Sequence, residues 1–277
     1  MDVGLSIQTY NGPTRVGYLL RSLKKAGWPP FPVYVFEDPS STRAWEDLQI
    51  VCKDFPVKLD RRPSWGNMQG CFQYAMEQTG HDLTILMSDD ILVQPSWWEE
   101  HLSWYEKLYD LVGASAFSHW DSCELISQGW IDDREEFYGK LSQIKIPNND
   151  YYSYPDIIHA VHGSCFALRR DVWEDQGGFA QDFLAKDEDI SRKIWINTNL
   201  ICAKFPGSPL LHMSGESRKW DKYNEDHPEV GKQTCSYQGM PLGLSPDEIW
   251  QLQIPKMEVG RERLNEYLRR TSEVGVG

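Results

Sequence analysis

The sequence predicts a three-layer α/β/α domain built on a doubly wound, mostly parallel sheet. Three observations carry that prediction. Short β-branched and aromatic runs alternate with longer amphipathic stretches along residues 1–90. The runs are largely apolar rather than apolar at every second residue, as in strands covered on both faces. Two of them end abruptly on acids, FED (36–38) and SDD (88–90), where a buried strand would otherwise pass into a neutral turn.

VGLSIQT (3–9) is the first strand. PTRVGYLLRSLKKAG (13–27) follows as a helix, with Val16, Leu19, Leu20 and Leu23 on one face, Pro13 near its start and Gly27 as its stop. VYVF (33–36) is the second strand. STRAWEDLQIVCKD (41–54) opens on Ser41, a capping residue type, and reads as a helix. PVKL (56–59) is a brief strand, and GNMQGCFQYAMEQTG (66–80) is a helix with Met68, Cys71, Phe72, Ala75 and Met76 on one face. LTILM (83–87) is the fourth strand. In such sheets ligands bind beyond the carboxyl ends of the strands, near a reversal of strand order. The turns QTYNG (8–12), FED and SDD are therefore expected at one crevice.

The second half is less regular. Residues 95–109 read as a helix, LVGASAF (111–117) and SCFALRR (164–170) as strands, and 120–155 as a polar, aromatic insertion near the acceptor side. A helix over 187–199, a strand over 200–205 and a short strand ending in His212 follow. Residues 215–243 read as a mobile lid, and SPDEIWQLQ and EVGRERLNEYLRR as two terminal helices. The division expected is a catalytic domain over 1–213, with a nucleotide-binding half (1–118) and an acceptor half (119–213), then a lid and helical extension over 214–277.

A formal net charge of -13 argues against a general binder of duplex DNA, which presents a basic face. Twelve tryptophans exceed what a core needs, so some are expected to line a cleft. The six cysteines form no C-x-x-C pair, and several stand in apolar runs, as reduced thiols of an intracellular protein do. The start of the chain, MDVGLSIQTY, has neither a basic region nor a long apolar one, and no stretch reaches membrane-spanning length. A soluble, cytoplasmic protein is expected.

Two adjacent carboxylates at a strand end suit a hard divalent cation, Mg²⁺ or Mn²⁺, that bridges protein and a diphosphate. The plainer reading is that Asp89 and Asp90 simply form a turn. The order of motifs favours the first. SIQTYNGPTRVGYLLRSL, VYVFED, LTILMSDDILVQPSW and GSCFALRRDVWEDQGGFAQDFLAKDEDISRKIW together resemble GT-A glycosyltransferases, in particular the large inverting group of nucleotide-sugar transferases. The likeness runs from about residue 3 to 212.

That resemblance implies roles residue by residue. Thr9, Tyr10 and Asn11 match the turn after the first strand, and Glu37 or Asp38 the acid that contacts uracil. Ser88-Asp89-Asp90 matches the D-x-D signature, with Ser in place of the first Asp, so Asp90 is expected to hold the metal and Asp89 to contact substrate. Downstream of Gly177-Gly178-Phe179, Asp187 falls on the Asp that takes the proton of an acceptor hydroxyl, with Glu188 next to it and Lys186 in place of the usual Glu. A helix N-terminus that merely favours acids is the structural alternative. His212 matches a further metal ligand used by some GT-A enzymes. Arg218 and Lys222 are expected to meet the leaving diphosphate, Arg61 to contact phosphate or donor, and Trp98 to stack on a sugar or a base.

The implied activity is transfer of a sugar from a nucleoside-diphosphate sugar, UDP above others, to an acceptor hydroxyl with inversion. Saccharide, protein and a hydroxymethylated base in DNA, as in phage DNA modification, stay open as acceptors, the last disfavoured by net charge. A sugar nucleotidyltransferase is the first rival, but QTYNGPTR lacks the Gly-rich basic loop it would carry. A non-catalytic sugar-binding module is the second, and it would need neither acid cluster.

Overall fold

The computed structural model describes residues 1–63, 67–121, 154–180, 186–213 and 246–274. The first half alternates strictly: β1 (Val3–Thr9), α1 (Pro13–Ala26), β2 (Val33–Glu37), α2 (Thr42–Cys52), β3 (Val57–Arg61), α3 (Asn67–Gln78) and β4 (Leu83–Ser88). β5 (Ile91–Leu92), α4 (Glu99–Lys107), β6 (Val112–Ala116), β7 (His119–Asp121) and β8 (Asp156–Ile157) come next. β9 (Cys165–Arg169), α5 (Arg170–Asp175), α6 (Lys186–Asn197), β10 (Ile201–Lys204), β11 (Leu210–His212) and α7 (Pro246–Val274) complete the chain.

The main sheet runs β3-β2-β1-β4-β9-β6-β10-β8. β9 lies antiparallel between β4 and β6, and β8 antiparallel to β10; the remaining strands share one direction. The expected doubly wound, mostly parallel sheet is therefore present, with the order reversing at β1/β4. Every residue of β1 is buried, as a central strand covered on both faces requires. β3 instead alternates half-buried and exposed, the signature of an edge strand. A second, three-stranded sheet, β5-β11-β7, stands beyond the tip of β4.

Local chemistry explains the boundaries. Ser41 caps α2 by accepting the N–H of Ala44 at 3.2 Å. β3 runs past the expected PVKL to Arg61, because its parallel register on β2 continues to the pair Glu37–Arg61. The helix expected over 95–109 starts only at Glu99, and Trp97 and Trp98 lie in the turn before it. The two terminal helices are one helix: Pro255 lies on its exposed face, where the residue whose carbonyl loses its donor, Gln251, is also exposed. Gln253 Nε2 ties α7 to the carbonyl of His159 at 2.7 Å, and Leu264 is buried against the domain. The expected lid (215–243) and most of the expected insertion lie outside the described residues. Among the described residues no helix is long and apolar enough to cross a membrane.

One histidine of the core sets a pH dependence of stability. His101 of α4 is buried, donates or accepts with Ser115 Oγ at 2.8 Å, and stacks on Phe117 with ring centroids 3.6 Å apart. Burial lowers its pKa to about 3, so the folded protein holds it neutral. The unfolded chain binds the proton first as pH falls below the ordinary histidine value of 6.5, so stability is lost over the window from there down to about 3. Unfolding in urea should show His101 alone costing about 2 kcal/mol between pH 7 and pH 5, a slope that His101→Gln removes while lowering stability at neutral pH. An unchanged slope in the variant would refute the assignment.

Candidate active site

Strand register gathers the tips. Thr9 lies beside Glu37, Glu37 beside Arg61, and Gln8 beside Ser88. The turns that follow β1, β2 and β4 thus open on one edge, and the ends of β2 and β4 bring acids that are almost fully buried: Glu37, Asp38, Asp89 and Asp90.

Asp89 is bound into the turn after β1. Thr9 Oγ1 donates to its Oδ2 at 2.5 Å, Arg15 Nε to Oδ1 and Arg15 Nη2 to Oδ2, both at 3.0 Å. Arg15 Nη2 also reaches the carbonyl of Tyr10 at 3.0 Å. Gly12 makes the approach possible, since a Cβ there would stand 2.1 Å from Asp89 Oδ2 and 2.7 Å from Thr9 Oγ1. Asn11, at the exposed tip, takes φ 47°, a left-handed conformation that Asn tolerates better than most residues. Burial pushes the Asp89 carboxyl above its ordinary range, and Arg15 pulls it back.

The acids after β2 have their own arginines. Arg61 Nε lies 2.9 Å from Glu37 Oε2, and its Nη2 donates to the Ser40 carbonyl at 2.7 Å. Ser40 also donates to Glu37 Oε1 through its backbone N–H, at 3.2 Å, and its hydroxyl. Burial raises the Glu37 pKa against these partners. Arg62 Nη1 meets Asp38 Oδ1 at 2.9 Å. The Arg61 guanidinium also lies over the Trp45 ring, 5.3 Å from its centre.

The tip of β4 is organised by a short loop before β9. Ser88 donates twice to the Ser164 carbonyl, through its N–H at 2.8 Å and its hydroxyl at 3.1 Å. This explains the Ser in the D-x-D position: a carboxylate there would face that carbonyl oxygen, acceptor against acceptor. One residue earlier, the N–H of Gly163 donates to Asp187 Oδ2 at 2.8 Å. Asp90, two residues after Ser88, is held beside His212 by the β5–β11 ladder, in which Met213 N–H donates to the Asp90 carbonyl at 2.8 Å. His212 Nε2 and Asp90 Oδ2 are 3.6 Å apart.

The Gly-Gly-Phe motif directs the chain toward α6. Gly177 and Gly178 both take left-handed φ, 72° and 75°, and a Cβ on Gly178 would stand 2.6 Å from Gln73 Oε1. Gln73 accepts the Phe179 N–H at 3.0 Å, and Phe179 packs on Phe72. In the first turn of α6 the three acids part ways. Asp187 meets Gly163, Glu188 pairs with Arg192, and Asp189, fully buried, pairs with Lys193 and accepts the Ala180 N–H.

Sequence reasoning missed Arg15 and two histidines here. His119, the first residue of β7, and His162, beside Gly163, have ligand nitrogens within 4.8 Å of each other and of His212. Both stand at strand ends on the ligand edge, after β6 and before β9, and that placement was the available signal. Thr9, Tyr10, Asn11, Glu37, Asp38, Arg61, Asp89 and Asp90 come together along this edge, with Asp187 and His212 joined to the β4 tip as described. Trp98 is not brought there. Its ring packs edge-on against Phe31, ahead of β2, so that the length of that strand, about 13 Å at 3.3 Å per residue, separates it from Glu37. Arg218 and Lys222 lie outside the described residues.

A buried carboxylate and an imidazole 3.6 Å apart fit one divalent cation, whose adjacent ligand atoms stand about 3–3.5 Å apart. Asp90 and His212 are the residues that suit it, since both oxygens of Asp89 are engaged by Thr9 and Arg15.

A doubly wound sheet whose order reverses at β1/β4, with acid-bearing turns at that edge, defines the GT-A class of fold. The family model for glycosyl transferase family 2 matches residues 6–177, and the chain belongs to that family. Its fold is similar to that of mannosyltransferase PcManGT from Pyrobaculum calidifontis in complex with GDP-Man and Mn²⁺, at 14% identity and a TM-score of 0.60, covering 98% of this chain and 75% of that one. S. aureus TarS 1–349 in complex with UDP-GlcNAc gives a TM-score of 0.58 at 13% identity, covering 91% and 70%. GalNAc-T7 with UDP, GalNAc and Mn²⁺ gives 0.56 at 13% identity, covering 77% and 44%. Such identities establish the fold alone. No curated protein matches the chain in sequence.

Removing Arg15 leaves Asp89 buried without its guanidinium. Arg15→Met should lower unfolding free energy by about 3 kcal/mol, and Arg15→Lys by less, since one ammonium replaces part of the charge but not the fork. Equal stability of Arg15→Met and the parent in urea would refute the role given to this pair.

Proposed function

We propose that the protein is a divalent-metal-dependent glycosyltransferase that moves a sugar from a nucleoside-diphosphate sugar to an acceptor hydroxyl with inversion. The observation that carries this reading is the loop before β9, where Ser164 binds the tip of β4 while Gly163 binds Asp187. A cation-type pair and a carboxylate are thereby held on two sides of one edge. The UDP and UDP-GlcNAc complexes of TarS support a UDP-sugar donor, and the GDP-Man complex of PcManGT keeps a GDP-sugar in the comparison.

In this reading Asp90 and His212 hold Mn²⁺ or Mg²⁺, which when bound supplies positive charge to the departing diphosphate. Tyr10, Asn11 and the Glu37–Asp38 turn receive the nucleoside, and Arg61 and Arg62 keep that acid pair in place. Thr9 and Asp89 fix the shape of the first turn beneath it. Asp187 accepts the proton of the acceptor hydroxyl as its oxygen attacks the anomeric carbon and the bond to the diphosphate breaks on the opposite side. The Gly163 N–H orients the Asp187 carboxylate through one oxygen and leaves the other for this proton. Glu188, paired with Arg192, stands second to Asp187 as the base. Arg218 and Lys222 are assigned to the leaving diphosphate from the C-terminal segment.

A screen of UDP-, GDP- and TDP-sugars, read as nucleotide release with and without Mn²⁺, tests the proposal. Asp90→Ala should abolish metal-dependent turnover with the fold intact by circular dichroism. Asp187→Asn should lower kcat by ~10²–10⁴ with little change in donor KM. Full turnover by Asp90→Ala, or no nucleotide released from any donor, would sink it.

A further inference from the structure

His119, His162 and His212 come from three separate places in the chain, the strand after β6, the loop before β9 and the last strand of the small sheet. Register brings them together. His119 lies opposite Leu210 in the β7–β11 ladder, and His212, two residues on, projects from the same face as Leu210. The His119 and His162 rings have centroids 4.1 Å apart, and His162 and His212 5.5 Å. All three side chains are half-buried, and one nitrogen of each lies within 4.8 Å of the others. Asp90 Oδ2 is 3.6 Å from His212 Nε2. Ser164 donates its N–H to His162 Nδ1 at 3.2 Å, and its hydroxyl lies 2.5 Å from the same nitrogen.

Three imidazoles and one carboxylate make a donor set of a different kind from the oxygen ligands that Mg²⁺ takes. Imidazole suits Zn²⁺, Fe²⁺, Co²⁺ and Ni²⁺, and three histidines with one further position is the arrangement of a four-coordinate zinc-type site. Nitrogens on such an ion stand roughly 3.3 Å apart, given Zn–N bonds of about 2.0–2.1 Å. The side chains therefore need only a small inward movement.

We infer that His119 and His162 complete, with His212 and Asp90, a nitrogen-rich site that selects a zinc-type transition ion over Mg²⁺. The inference rests on the preceding functional reading only in sharing Asp90 and His212. It deepens that reading by naming the ion class and adding two ligands that neither the family signature nor the motif order supplies.

The test reads binding without donor or acceptor. Metal-free full-length protein is titrated with Co²⁺, Zn²⁺ and Mg²⁺, with the visible d–d bands of tetrahedral Co²⁺ and calorimetry as readouts. The parent should bind one Zn²⁺ per chain, more tightly than Mg²⁺, and show tetrahedral Co²⁺ bands. His119→Ala and His162→Ala should each weaken Zn²⁺ by at least the ~10–100-fold that loss of a ligand's outer partner costs, and abolish those bands. Should an alanine variant fail to fold by circular dichroism, His119→Gln and His162→Gln take its place. Zn²⁺ binding no tighter than Mg²⁺, octahedral Co²⁺ bands, or full Zn²⁺ affinity in folded His119 and His162 variants would overturn the inference. A chain that binds Zn²⁺ through these histidines yet releases nucleotide from no donor keeps this inference and sinks the transferase reading. A chain that turns over with Mg²⁺ and shows no preference for Zn²⁺ does the reverse.

Discussion

Carboxylates that share one buried edge must each find positive charge, and the architecture of the β1–β4 edge follows from that requirement. Like charges a few ångströms apart, withdrawn from water, cost several kcal/mol each when uncompensated, against a total folding free energy of only about 5–15 kcal/mol. Arg15 answers Asp89, Arg61 answers Glu37 and Arg62 answers Asp38. Each arginine sits where local geometry brings it within reach: Arg15 in the first turn of α1, Arg61 at the end of β3 through its register with Glu37, and Arg62 just beyond. The pairs join neighbouring turns to one another, so the crevice is braced by the same interactions that neutralise it.

Asp90 has a different neighbour. It faces an imidazole, which can be neutral, where the other three acids face guanidinium groups, which are always charged. That difference separates the acids that shape the edge from the one suited to hold a cation. The D-x-D pattern thus divides its labour here. Ser88 anchors the β9 loop, Asp89 braces the first turn, and Asp90 is turned toward the histidines.

Backbone conformation does comparable work on the far side. The left-handed Gly177–Gly178 pair lets Gln73 approach and bind Phe179, which sets the path of the chain toward α6. The consequence is felt ten residues after Gly177, where Asp187 meets Gly163. The three acids of that helix turn are adjacent in the chain yet have three unlike partners, an amide, an arginine and a lysine. Only the first lies on the loop that binds the β4 tip.

The sequence by itself determined the layer order, the strands of the first half and the edge at which the acids collect. Buried parallel strands, amphipathic helices and capping residues such as Ser41 are written in local pattern, because the forces that choose them act over a few residues. It also singled out the acid-bearing turns, since paired carboxylates after an apolar run ask for compensating positive charge. What only the tertiary structure decided is which cation serves which acid. Arg15 and Asp89 are 74 positions apart, and nothing in the spacing joins them. The same holds for His119, His162 and His212, brought together by strands distant in sequence, and for Trp98, which composition nominated for a cleft and packing assigned to Phe31. Pro255 marks the same limit, for a proline ends a helix in local terms, while exposure on a packed helix lets it stay. Long-range pairing is settled by register and close packing, which fix distances that residue order leaves open.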